Sequence, residues 1–251
     1  MGKRKKDLVI IKNPKSLFSE SIRSIRTNLA FSSLDKSIKV IINTSPEAGD
    51  GKSFVTANLA IAYAQEGKKV LLIDADLRRG QQHEIFSVMN VVGGGYSNLM
   101  LNFSEDVRLD KYIVPIVDKH IDLLPTGPMP PNPVELLGSR KNKKLLEKLK
   151  SMYDLIIMDC APVIGLSDSL ILATLSDVNL ITVSAKKTKM ESLEQVKKLF
   201  DQNSLKISGV IFNKAPMTGS SYYNSYYYND NDYDGKKKKK WKIYIPIYYM
   251  E

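Results

Sequence analysis

The sequence has one cysteine, Cys160, so no disulfide can close within the chain, and a reducing compartment fits. Cys160 follows an apolar run and reads as a small buried hydrophobe rather than a reactive thiol. No apolar run approaches the ~20 residues that a transmembrane helix needs. "LVII" (8–11), after a basic start, is too short for a signal-peptide core. The chain is therefore expected in the cytoplasm, with any membrane attachment made through a partner or its own charge. Longer internal repeats are lacking. One glycine is missing where a familiar pattern wants it. "NTSPEAGDGKS" (43–53) ends as a phosphate-binding loop does, yet Pro46 stands where G-x-x-x-x-G-K-[ST] begins.

What is present is an ordinary globular composition. The 251 residues are 43% hydrophobic and 25% charged, enough to bury a core. The net charge of +10 points to an anionic partner, but much of it lies in "KRKK" (3–6) and "KKKKK" (236–240). Apolar runs alternate with helical patterns, which predicts an α/β fold with a mainly parallel sheet flanked by helices. Strands are predicted in 38–45, 68–76, 121–127, 153–162, 177–185 and 205–214. Helices are predicted over 10–34, 52–67, 139–153 and near 190–203. Residues 88–98, with "GGG", read as a flexible loop. Residues 1–216 form the expected domain, and 217–251 a tyrosine- and lysine-rich mobile tail outside the sheet.

A strand, a glycine-bearing loop and a helix start are the setting in which a P-loop is credible. Backbone N–H groups of the loop and the helix N-terminus converge on phosphate oxygens. Gly49 and Gly51 leave that approach open. The expected cradle is Gly49, Asp50, Gly51, Lys52, Ser53 and Phe54, with Lys52 on the phosphates and Ser53 on Mg²⁺. "VLLIDADLRR" (70–79) sets Asp74 and Asp76 at the end of a second strand, and "LIIMDCAP" (155–162) sets Asp159 at the end of a third. Alternate residues of a strand share a face, and ligands of open α/β sheets bind at that edge. K-S, D-x-D and D at three strand ends imply a metal-bound nucleotide.

The strand followed by D-x-D-x-R (Asp74, Asp76, Arg78) resembles the Walker A′ motif of bacterial protein-tyrosine kinases, the BY-kinases of capsular and exopolysaccharide synthesis. Asp159 matches their Walker B. The resemblance implies a P-loop NTPase-like fold shared with the deviant-Walker ATPases that position septa and plasmids. Those ATPases carry a signature lysine five positions before the main one. Glu47 stands there instead, so the non-kinase positioning ATPase is the alternative reading. "ESIRSIR" (20–26) matches the family's E-x-x-R-x-x-R, with Glu20, Arg23 and Arg26 on one helix face; the family uses it, on a helix expected here at about 15–34, for ring assembly. Asn213, ending "IFNK", stands where related folds read adenine, and Arg78 is expected to hold phosphate.

Nine of the thirteen tyrosines follow residue 220. The resemblance makes Tyr222, Tyr223, Tyr226, Tyr227, Tyr228 and Tyr233 the expected phosphoacceptors, modified in trans. An adhesive or RNA-stacking tail is the bland alternative. The implied chemistry is Mg-ATP-dependent phosphoryl transfer by Lys52, Asp74, Asp76 and Asp159. Asp74 is the expected base; Ser53, Asp76 and Asp159 are the expected Mg²⁺ ligands. The implied partners are a transmembrane adaptor of the polysaccharide co-polymerase type, a phosphotyrosine phosphatase and further copies in a ring, with no nucleic acid. The adaptor would recruit the chain to the inner face of the membrane. The last sixteen residues fit the family poorly. They could lie on an anionic bilayer, at ~1 kcal/mol per basic residue, or have no role.

Overall fold

The computed structural model describes residues 8–32, 37–88, 94–116 and 120–215, together with the backbone strand 242–244. In chain order the helices are α1 (Val9–Lys12), α2 (Leu17–Ser32), α3 (Lys52–Ala64), α4 (Gln82–Phe86), α5 (Tyr96–Leu101), α6 (Pro133–Leu137), α7 (Arg140–Met152), α8 (Asp168–Ala173) and α9 (Met190–Gln202). The strands are β1 (Val40–Thr44), β2 (Val70–Asp74), β3 (Val114–Pro115), β4 (Ile121–Leu124), β5 (Leu155–Asp159), β6 (Val178–Ser184), β7 (Gly209–Ala215) and β8 (Lys242–Tyr244). They form one sheet in the order β3-β4-β2-β5-β1-β6-β7-β8. The six inner strands run parallel, and β3 and β8 are antiparallel edges.

Every residue of β1, β2 and β5 is buried, as a parallel sheet covered on both faces requires. Period-two alternation sorts these residues between two cores. Ile42, Ile73 and Met158 face Leu145 and Leu149 of α7 and Val196 and Phe200 of α9. Ile41, Leu72 and Ile157 face Ile22 and Ile25 of α2 and Leu59 of α3. Truncating one of these, as in Ile157→Ala, costs ~2–5 kcal/mol. The central strands therefore present the side chains at their ends from a rigid base.

Register decides the rest. Asp159 at the end of β5 lies beside Asp74 of β2 on one side and Asn43 of β1 on the other. β1 leads through α3 to β2 on one side of the sheet, whereas β5 leads through α8 to β6 on the other. The chain reverses direction at this point, and the carboxyl ends gather at such a switch point.

Three expectations change. The helix over 10–34 breaks at Asn13 and Pro14, since proline has no N–H to continue it. Tyr96, Ser97 and Asn98, expected within a flexible loop, open α5. Gly95 meets Gly127 so closely that a Cβ on Gly95 would lie 2.4 Å from its Cα, and Tyr96 is fully buried with its hydroxyl donating to Asn142 at 2.7 Å. Lys242–Tyr244, expected outside the sheet, pairs antiparallel with β7, Phe212 beside Tyr244 and Ala215 beside Lys242.

Candidate active site

The loop between β1 and α3 is shaped by its glycines. Gly49 and Gly51 have φ of +91° and +95°, where a side chain is strained. A Cβ on Gly51 would also sit 2.1 Å from Asn213 Nδ2. The loop is braced from outside by three side chains. Lys187 Nζ donates to the Ala48 carbonyl at 2.7 Å, Asn213 Nδ2 to that of Asp50 at 2.8 Å, and Lys214 Nζ to that of Gly49. With three successive carbonyls held outward, the loop keeps its turn while its N–H groups stay available to an anion. Asp50 is buried within the loop, accepting from the Glu47 N–H at 3.2 Å and from Thr188 Oγ1 at 2.9 Å. Glu47 itself pairs with Lys187 at 3.3 Å.

Lys52, the first residue of α3, turns into the sheet edge. Its Nζ lies 3.0 Å from Asp76, 3.3 Å from Asp159 and 3.4 Å from Ser53 Oγ. Burial works to lower the Lys52 pKa, but the Asp159 and Asp76 charges outweigh it and the ammonium is held well above its ordinary value. Asp74 is fully buried. Desolvation, and then the Asp159 charge, push its carboxyl well above the ordinary range, against the hydrogen bond from the Gln82 N–H and the Lys52 charge. Its Oδ2 accepts from Gln82 N at 2.9 Å, whereas its Oδ1 has no partner. Such an orphan oxygen is unfavourable in a dry site and marks a place for a donor.

The donor set suits Mg²⁺ with a nucleotide. Ser53 Oγ, Asp76 and Asp159 surround one cation, here the Lys52 ammonium. Among the described residues no group of three or more His, Cys, Asp or Glu forms a ready metal cage. Mg²⁺ requires none, because one or two carboxylates suffice when phosphates and waters complete its shell. The N-terminus of the thirteen-residue α3 adds a favourable dipole for phosphate.

The Phe54 ring packs on Phe18 of α2, centroids 5.3 Å apart, so any part in the cradle falls to its backbone. Arg78 is held by Asp168, with Nε 3.0 Å and Nη2 3.2 Å from the two carboxylate oxygens. Asn213 braces the loop through Nδ2, and its Oδ1 accepts from Lys214 N at 2.8 Å. Glu20 and Arg23 pair with each other on α2, and Arg23 Nη1 also donates to the Pro14 carbonyl at 2.8 Å. Arg26 points inward, donating to the Ala62 carbonyl at 2.8 Å and pairing with Glu66 at 2.6 Å. It thus holds the C-terminal end of α3. The expected phosphoacceptor tyrosines lie outside the described residues.

Sequence reasoning missed Gln82, Asp168, Lys187 and Lys214. Gln82 and Asp168 sit at the starts of helices of five and six residues, too short for a periodic signal. Only the position of Gln82, just past D-x-D-x-R-R-G, could have drawn attention to it.

A parallel sheet with K-S, D-x-D and D gathered at one edge defines a P-loop nucleotide-binding protein. A family profile described as an AAA domain matches residues 38–208. "Tyrosine-protein kinase YwqD" of Bacillus subtilis (strain 168) is 37% identical over 230 residues, covering 92% of this chain and 95% of that protein. "Putative tyrosine-protein kinase CapB" of Staphylococcus aureus is 34% identical, covering 89% and 96%. Among solved structures, the chimerical protein CapA2B2 superposes with a TM-score of 0.78 at 35% identity, over 84% of this chain and 90% of that one. The septum site-determining protein MinD of Pyrococcus horikoshii OT3, complexed with Mg-ADP, gives 0.56 at 25% identity, over 70% of each chain. The chain belongs to the bacterial tyrosine-protein kinase family.

Proposed function

We propose that this chain is a Mg-ATP-dependent protein-tyrosine autokinase. In this reading it phosphorylates its own tyrosine cluster in trans and regulates capsular or exopolysaccharide synthesis and export. The observation that carries it is the convergence of Lys52, Asp76 and Asp159 beside a buried Asp74 with an unpartnered oxygen, in a chain of the tyrosine-kinase family.

Mg-ATP, when bound, supplies the transferable phosphoryl group and a divalent charge that neutralises it. Ser53, Asp76 and Asp159 would hold the metal, and the backbone of 49–54 the phosphates. Lys52 carries a charge that the fold keeps ionised and would stabilise the transferring group. A tyrosine hydroxyl, with its pKa near ~10, is a weak nucleophile at neutral pH. Asp74 Oδ1 would accept its proton as the phosphoryl group passes from ATP to the tyrosine oxygen and its bond to the β-phosphate oxygen breaks, leaving ADP, with Asp76 on the metal side. Asp74 has no exposed surface, and Gly80 and Gln82 lie against it. The hydroxyl therefore reaches it only if this cover shifts. Arg78, already bound to Asp168, would act on phosphate only from its free edge.

The acceptors in this reading are Tyr222, Tyr223, Tyr226, Tyr227, Tyr228 and Tyr233, offered by a neighbouring copy. Each phosphotyrosine adds ~1.5–2 negative charges, and several would repel one another and loosen a ring. Glu20 and Arg23 would make the contact between copies. No helix among the described residues is long and apolar enough to cross a membrane. A transmembrane adaptor would bring the chain to the inner membrane face, and a phosphatase would reset the tail.

Mass-spectrometric mapping after incubation with ATP, Mg²⁺ and the adaptor's cytosolic segment tests the reading. Phosphotyrosine within 222–233, lost in Lys52→Met, is the expected result. Phosphate release without phosphotyrosine would overturn it in favour of a positioning ATPase.

A further inference from the structure

One residue touches all three motifs of the site, and none of them contains it. Gln82 opens α4 and is completely buried. Its backbone N–H donates to Asp74 at 2.9 Å. Its side-chain Nε2 donates to the Ser53 carbonyl at 2.9 Å and to Asp159 Oδ2 at 2.9 Å. Both side-chain partners are acceptors, which fixes the amide with its nitrogen toward them.

We propose that Gln82 is a positioning residue for the metal: it orients Asp159 and the first turn of α3 so that Asp159 Oδ1 and Ser53 Oγ face one cation. The proposal rests on the Mg-nucleotide site described above. Asp159 has two oxygens. Gln82 occupies Oδ2, leaving Oδ1 to a cation, here Lys52 Nζ at 3.3 Å. A neutral amide fixes the carboxylate without cancelling its charge. A lysine in its place would compete with the metal, and a glutamate would set a second carboxylate against Asp159. The same NH₂ group ties Asp159 to the main chain of Ser53, so the two ligands move as one unit.

A second observation points the same way. Gln82 Oε1 is buried without a partner, as is Asp74 Oδ1. Buried acceptors without donors are unfavourable, and two in one site leave places for donors that arrive with the ligand. Partners of this kind behind a metal ligand commonly change metal affinity by about 10–100-fold when removed.

The test uses the full chain and a fluorescent ADP analogue, titrated in EDTA and then across a Mg²⁺ series. Gln82→Met keeps the length and the backbone N–H bond to Asp74 but removes the two side-chain hydrogen bonds. Gln82→Asn keeps the amide but withdraws it by one methylene, and serves should the first variant fold poorly. In both, the Mg²⁺ concentration for half-maximal enhancement should rise about 10-fold or more, with nucleotide affinity in EDTA within about twofold of wild type. An unchanged Mg²⁺ requirement in a folded variant overturns the proposal. So does an equal loss of affinity with and without Mg²⁺, which would make Gln82 merely structural. If Mg²⁺ does not strengthen binding in the wild type, the Mg-nucleotide site itself is refuted, along with the reading that depends on it. No outcome depends on phosphotyrosine, so failure of the kinase reading stays distinct.

Discussion

Two charge clusters in this chain differ in kind. Lys52, Asp74, Asp76 and Asp159 come from a helix start, the ends of two strands and the turn after one of them, and none is more than 8% exposed. Glu20, Arg23 and Arg26 come from one helix, and half of their contacts stay on it or next to it. A buried ion pair is costly to assemble and more costly to break, because removing one partner strands the other in low dielectric. An exposed pair is nearly neutral either way. The first cluster can thus be held only by its own geometry, whereas the second is free to exchange partners. Arg26 stands between the two: it belongs to the surface motif by sequence and to the interior by contact.

The largest effect should follow from breaking the buried cluster. Lys52→Met leaves Asp76 and Asp159 facing each other without a cation. We expect a loss of ~3–5 kcal/mol in urea unfolding, partly recovered when Mg²⁺ is added, and no tail phosphotyrosine. Full stability in EDTA would mean that the carboxylates are not held together by Lys52. Asp74→Asn should separate function from stability within the same cluster. It removes a carboxyl whose charged form burial and Asp159 disfavour, and keeps an acceptor for the Gln82 N–H. Unfolding should occur at equal or higher urea while phosphotyrosine is lost, the usual trade at a strained site.

The next effect concerns Arg78. Asp168→Ala should cost ~1.5–3 kcal/mol, the scale of a hydrogen bond to a charged group, because Asp168 is fully buried and grips the guanidinium at both oxygens. Nucleotide affinity should change less than stability if Arg78 chiefly pins the turn after β2. A selective loss of affinity would support the phosphate role expected from D-x-D-x-R.

Much of this was legible before the fold was known. β1, β2, β5, β6 and β7 are apolar runs whose lengths and turn residues announce buried strands, and α3, α7 and α9 have clear helical period. The register that brings Asp74 beside Asp159 follows from both ending their runs. What was not legible depends on short elements or on tertiary contact. α4 and α8 have too few residues for a period, so nothing in the pattern marks Gln82 or Asp168. Gly95, the last glycine of "GGG", meets Gly127 across 32 positions of sequence, a close backbone approach that no local pattern announces. Asn213 and Lys214 lie at the strand end as expected, but the P-loop carbonyls that they hold belong to a segment some 160 residues earlier.

The smallest stability effects fall on α2, and there the contrast between the clusters is sharpest. Arg26→Ala should cost ~1 kcal/mol by freeing the Ala62 carbonyl and Glu66 at the end of α3. Loss of assembly in that variant alone would therefore be ambiguous. Arg23→Ala is the cleaner instrument. Its pair with Glu20 is exposed and local, so stability should stay within ~0.5 kcal/mol. If the motif joins copies, sedimentation of Arg23→Ala should nevertheless shift from a large species to a small one, and a Glu20→Arg variant should do the same through repulsion. A wild-type sedimentation profile in both would leave Glu20 and Arg23 as an ordinary solvated pair, and would move the search for the contact between copies to another face.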